Sequence, residues 1–106
     1  MNIIGVGTDI VEISRVEKAV KSEHFLDRVF TTDEKDYASS KHNPFPTYAG
    51  MWAAKEAAVK AMGGNISDYE IFHTPDGKPY LNNVNTQLSI SHCDNYAVAF
   101  VVAYEC

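Results

Sequence analysis

Between Thr47 and Met62 the chain reads TYAGMWAAKEAAVKAM, dense in alanine and other strong helix formers and followed at once by Gly63-Gly64. Alanine loses no side-chain entropy in a helix, and a glycine just past the last turn is a natural stop. A helix over 47–62 is therefore expected, with Thr47 as its N-cap. Residues 2–13, NIIGVGTDIVEI, are rich in β-branched residues and predict a strand. Within it Gly5 and Gly7 permit a bulge or a close backbone approach.

The remaining segments fill in around these two. Ser14-Arg15-Val16-Glu17 has the spacing of a capping box and predicts a helix over about 15–22. Thr31-Thr32-Asp33-Glu34 repeats that signature and starts a second, short helix. His42–Pro46 predicts a loop, because its two prolines deny the backbone a regular ladder. Strands are expected at Tyr69–Thr74 and Lys78–Leu81, joined through the turn Pro75-Asp76-Gly77. Thr86–His92 alternates, with Leu88 and Ile90 on one face and Ser89 and Ser91 on the other. Tyr96–Tyr104 is nearly all apolar and predicts a central strand. The order predicts an α+β fold, a mostly antiparallel sheet with the long helix packed on one face.

At 106 residues the expectation is one domain, residues 1–106, too small to bury much more than about two thirds of its unfolded surface, which favours self-association. No apolar run reaches the ~20 residues of a membrane span, and no signal core opens the chain, so a cytoplasmic location is expected. Cys93 and Cys106 follow no metal or redox spacing and are expected as free thiols. A net charge of −5 argues against broad nucleic-acid binding. That total hides a basic stretch, Arg15, Lys18, Lys21 and Arg28 with His24 among them, which fits a solvated face or a docking surface.

Two carboxylates stand out. Asp9 lies in an apolar strand at even spacing from Val11 and Ile13, where it needs a cation or a donor unless the glycines turn it to solvent. Glu56 sits one turn from Trp52 and from Lys60 on the alanine-rich helix. It is either one half of a surface pair with Lys60 or a poorly solvated carboxylate awaiting a cation. Taken together, the two suggest a divalent ion. Few carboxylates and no histidine cluster point to magnesium, which shares its coordination with water and substrate phosphates. His92 ends a strand just before a turn, and Lys78 follows Gly77, both places where a backbone can present groups to a ligand. Cys93 beside His92 is no dyad, since strand neighbours point to opposite faces. Gly5-Val6-Gly7 lacks the third glycine and following helix of a dinucleotide fingerprint.

Gly7-Thr8-Asp9-Ile10-Val11-Glu12-Ile13 and Trp52-Ala53-Ala54-Lys55-Glu56-Ala57-Ala58-Val59-Lys60-Ala61-Met62-Gly63 resemble the motifs of the short bacterial-type phosphopantetheinyl transferases, the holo-acyl-carrier-protein synthases. Arg28-Val29-Phe30-Thr31, Gly77-Lys78-Pro79-Tyr80 and Ser89-Ile90-Ser91-His92 add to the resemblance, which runs from about residue 3 to 102. It implies transfer of 4′-phosphopantetheine from coenzyme A to a serine of apo acyl carrier protein, with magnesium held by Asp9 and Glu56. It further implies Lys60 neutralising phosphate charge, Glu56 as base for the serine, directly or through a metal-bound water, and Lys78, Pro79, Ser91 and His92 at the nucleotide end. Arg15, Lys21, Phe25 and Arg28 match the region that docks the carrier. Family members of this length are usually homotrimers with sites between subunits. One departure is Met51, where the family commonly has arginine; Lys41 and His42 are the substitutes at hand. Met51 motivates an alternative, a relative that binds coenzyme A or carrier without turnover.

Overall fold

The computed structural model describes residues 1–83 and 85–106. Strand β1 (Asn2–Glu12) leads into three short helices, α1 (Ile13–Ala19), α2 (Glu23–Val29) and α3 (Thr32–Ser39), and then into the long α4 (Phe45–Met62). A single 3-10 turn (Ile66–Asp68) precedes β2 (Ile71–His73), β3 (Pro79–Leu81), β4 (Thr86–His92) and β5 (Tyr96–Glu105). The expected α+β class holds. The main sheet is antiparallel in the order β1-β5-β4, and β2-β3 form a separate antiparallel hairpin. The apolar β5 is central, as its composition predicts.

Alpha-helix α4 lies on the inner face of the main sheet at unusually short range, and two glycines make this possible. A Cβ on Gly5 would collide with the Ala61 carbonyl, and one on Gly7 with the Ala57 carbonyl. The partners across the gap are alanines, and Ala53, Ala54, Ala57, Ala58, Ala97 and Ala99 are all buried. Small residues on both surfaces therefore bring a strand backbone against a helix backbone. The β1–β5 ladder shifts register between Ile3 and Gly5 and then runs unbroken from Gly5–Ala103 to Glu12–Tyr96. The bulge thus lies before Asp9 and does not turn it outward. Gly7, Asp9 and Val11 face α4, while Val6, Thr8, Ile10 and Glu12 face out.

Several helix boundaries differ from expectation. The first helix starts at Ile13 with Glu12 as N-cap and no side-chain cap, so Ser14 falls inside it and the Ser14–Glu17 box does not form. It ends at Ala19, leaving Lys21 in the turn that follows. Helix α2 was not expected; the Ser22 hydroxyl caps it by accepting the Phe25 amide at 3.3 Å. Thr31 and Glu34 do form the reciprocal capping box at the start of α3. Helix α4 begins two residues before Thr47, with Pro46 in its first turn, where a missing N–H costs nothing. Strand β2 is shorter than its apolar run, because Tyr69 closes the 3-10 turn and donates its hydroxyl to the Gly63 carbonyl at 2.5 Å.

Candidate active site

The strand and helix motifs converge. Asp9, on the inner face of β1, meets Lys60 of α4 with Nζ and Oδ1 3.2 Å apart, and the same ammonium donates to the Thr8 carbonyl at 2.8 Å. The Asp9 side chain keeps 19% of its exposure and that of Lys60 54%, so the pair lies at the mouth of the helix–strand contact. Among the described residues Lys60 pairs with Asp9, which leaves Glu56 without an ion-pair partner. The Glu56–Lys60 surface pair therefore does not form.

Glu56 lines a hollow of about 580 Å³ together with Phe25, Arg28, Val29, Trp52, Val59 and the Gly64–Ser67 turn. A second hollow of about 260 Å³ lies across Trp52 and is bounded by Ile10, Val11, Glu12, Arg15 and Tyr96. Trp52 is the wall they share, with its ring edge-on to Phe25 at 5.1 Å and its Nε1 buried without a partner among the described residues. The guanidinium of Arg28 lies 6.0 Å from the Phe25 ring. Of the four residues expected to dock a carrier, Phe25 and Arg28 thus share the Glu56 hollow and Arg15 the adjoining one. Lys21, exposed in the turn after α1, lines neither.

The expected nucleotide residues divide. Pro79 and His92 line a hollow of about 240 Å³ with Tyr37, Gly50, Met51 and His73. Ser91 does not join them: it stands on the outer sheet face opposite Val98, whereas Ile90 and His92 face inward. Lys78 is exposed at the neighbouring turn, where its amide donates to Thr74 Oγ1 at 3.0 Å. Gly77 holds φ +92 there, a left-handed value that favours glycine. Met51 is 1% exposed on the floor of this hollow. Tyr37 and His73 were not expected; they stack at 3.6 Å, and the Lys41 ammonium lies 4.5 Å over the Tyr37 ring. Burial, and secondarily Lys41, holds the His73 imidazole below its ordinary pKa.

Also unexpected is a fully buried ion pair between Lys55 and Glu34 at 2.6 Å. Its signal was available, since Lys55 follows Tyr48 and Met51 at helical spacing and so sits on an apolar stripe of α4.

Residues 5–101 match the model of the 4′-phosphopantetheinyl transferase superfamily. That defines the class, a phosphopantetheinyl transferase fold. The chain is 42% identical over 117 residues to the holo-[acyl-carrier-protein] synthase of Protochlamydia amoebophila, covering 93% of this chain and 96% of that one. It is 43% identical over 110 residues to that of Thermodesulfovibrio yellowstonii, covering 94% and 97%. A crystal structure of the Bacillus anthracis synthase in complex with CoA (3′,5′-ADP) superposes with a TM-score of 0.88 at 34% identity, over the whole of both chains. The Helicobacter pylori synthase in complex with coenzyme A gives 0.81 at 30%, over 94% and 99%. The chain belongs to the holo-acyl-carrier-protein synthase family.

Proposed function

We propose that this protein transfers 4′-phosphopantetheine from coenzyme A to a serine hydroxyl of apo acyl carrier protein and releases 3′,5′-ADP. The observation that supports the assignment is the Asp9–Lys60 pair joining β1 to α4, with Glu56 one helical turn before Lys60. The serine oxygen bonds to the phosphorus that carries pantetheine, the bond from that phosphorus to the ADP oxygen breaks, and the serine proton goes to a base. Such a transfer needs positioning and charge neutralisation more than covalent help from the protein.

Glu56, without an ion-pair partner among the described residues and open to the large hollow, takes the serine proton. Lys60 has three donor positions, of which Asp9 and the Thr8 carbonyl use two, so one remains for a phosphate oxygen. Asp9 and Glu56 suit magnesium. Among the described residues no three His, Cys, Asp or Glu side chains cluster, which leaves most of a coordination sphere to water and pyrophosphate. When bound there the ion would neutralise pyrophosphate charge and support the leaving group. Pro79 and His92 receive the nucleotide end with the turn at Lys78. Because Met51 offers no charge, Lys41 supplies the cation on that side, with His42 exposed beside it. Arg15, Lys21 and Arg28 steer an acidic carrier toward Phe25 and Glu56 despite the negative total charge.

The outer sheet face is apolar: Val6, Ile10, Val98 and Phe100 are all exposed on adjoining strands. A patch of this kind marks an interaction surface, and the occupant is further copies of this chain, as a trimer. Ser91 on that face, and the separation of the nucleotide hollow from Glu56, fit a site completed between subunits. Among the described residues no helix is long and apolar enough to cross a membrane.

Incubation with coenzyme A, magnesium and apo carrier protein tests the assignment. Intact-mass measurement should show the phosphopantetheine increment on the carrier. Binding of coenzyme A with no increment across several carriers would instead support the non-catalytic relative that Met51 suggests.

A further inference from the structure

The hairpin β2–β3 carries His73 and Pro79, two walls of the nucleotide hollow, yet among the described residues no ladder of hydrogen bonds joins it to the main sheet. Ile71 and Leu81 pack it into the core, and a small set of buried hydrogen bonds sets its position along α4. The Ile71 amide, at the start of β2, donates to Glu34 Oε2 at 2.7 Å. Glu34 Oε1 accepts the Thr31 amide at 2.8 Å and the Lys55 ammonium at 2.6 Å. Lys55 also donates to the Val29 carbonyl at 2.6 Å, and the Thr31 hydroxyl donates to Glu70 at 2.9 Å. One buried pair thus ties the end of α2, the start of α3, the middle of α4 and the first residue of β2.

We infer that Glu34 and Lys55 are positioning residues, which hold the β2–β3 hairpin at a set distance from α4 and so set the width of the nucleotide hollow. Lys55 stands one turn beyond Met51, on the floor of that hollow, and immediately before Glu56. Across the hairpin Ile71 pairs with Leu81 and His73 with Pro79, so a shift at Ile71 moves Pro79 with it. Both sides of the hollow are therefore referred to a single carboxylate. Apolar residues could fill this space at no loss of stability, because a buried pair recovers little beyond its desolvation cost. What they could not supply is an acceptor for the Ile71 amide at a defined place.

The inference rests on the coenzyme A reading above, and the test separates the two. Glu34→Gln retains volume but substitutes an NH2 for one oxygen, so either the Ile71 amide or the Thr31–Lys55 side loses its acceptor. Glu34→Asp keeps the charge but is one methylene too short to span Lys55 and Ile71. Calorimetric binding of 3′,5′-ADP should weaken roughly tenfold in both variants, and KM for coenzyme A should rise in step while kcat at saturation stays within about twofold. A merely structural pair would lower the melting temperature without moving either binding constant, and that result overturns the inference. If the wild-type protein itself fails to bind 3′,5′-ADP, the coenzyme A reading falls and this one with it. A measurement free of variants adds a third arm: 3′,5′-ADP should slow hydrogen exchange at the Ile71 amide of the wild-type protein, and unchanged exchange under saturating ligand counts against the inference.

Discussion

Lys60 bridges helix and strand: its ammonium sits 3.2 Å from Asp9 and 2.8 Å from the Thr8 carbonyl, anchoring the end of α4 to β1. The contact is possible only because Gly5 and Gly7 let the two backbones meet. The position of Asp9 relative to Glu56 is therefore a packing result before it is a chemical one.

Gly7→Ala tests that dependence. A methyl group at residue 7 meets the Ala57 carbonyl, a backbone atom that cannot swing aside, so α4 must move off the strand. Overpacking of this kind should lower stability by about 3 kcal/mol, seen as a lower urea midpoint at unchanged slope. Turnover should fall further than the folded fraction does, since Asp9 and Lys60 separate. A midpoint equal to that of the parent would mean that the close approach is not needed.

Glu56→Gln separates chemistry from folding. Among the described residues Glu56 has no ion-pair partner to lose, so the melting temperature should stay within a few degrees of the parent. Removal of the base should lower kcat by about a hundredfold or more. Asp9→Ala should weaken magnesium dependence and turnover alike, while leaving Lys60 without its partner. Wild-type kcat in Glu56→Gln would remove Glu56 from the base role.

These positions were accessible from sequence to different degrees. Spacing against Val11 allowed an inward Asp9 but left the glycines free to turn it out, and the regular register from Gly5 to Glu12 decides for inward. The capping role of Glu34 was equally local, three residues from Thr31. Its deeper role was not, since that depends on Ile71, 37 residues further along, and on a lysine whose surroundings no single segment reveals. The alternation of Thr86–His92 already set Ser91 on the face opposite Ile90, and the structure keeps it there, away from the His92 hollow of the same chain. The helix α2 was hidden because its cap, Ser22, lies inside a basic stretch that reads as one solvated run.

His73 gives the protein a pH dependence whose direction is determined by burial. Its folded pKa lies below the ordinary 6.5, so well above that value both folded and unfolded chains carry it uncharged. As pH falls through the ordinary value, the unfolded chain takes up the proton first and stability declines; the decline ends below the folded pKa. His73→Phe keeps an aromatic surface against Tyr37 and should remove this share of the acid loss. Denaturant midpoints measured from about pH 7 to 5 should fall less steeply in the variant than in the parent. Parallel slopes would show that His73 does not titrate differently on folding.

Charge reversal at Arg15 and Lys21 addresses the carrier. Both are exposed and lie outside the hydrogen-bond networks that hold the fold, so the variant should fold normally. Association with an acidic carrier should slow roughly tenfold at low ionic strength, with a flatter dependence on salt. The effect should vanish near molar salt, where screening reaches about 3 Å. A salt slope equal to that of the parent would place the docking surface elsewhere.

The outer sheet face carries the last expectation. Phe100 is 46% exposed at the centre of it, paired across β1 with Thr8 and across β4 with Ser89, and flanked on its own strand by Val98 and Val102. Water covers these side chains at a cost of roughly 25 cal/mol per Å² unless another copy does so. If the proposed trimer forms on this face, Phe100→Glu should convert it to monomer in sedimentation, with the fold of each subunit retained because the inner face is untouched. Turnover should be lost along with the assembly, since the Glu56 hollow and the Pro79–His92 hollow are separate within one chain. Activity persisting in a monomeric Phe100→Glu protein would require one subunit to complete its own site, with coenzyme A spanning the two hollows along α4.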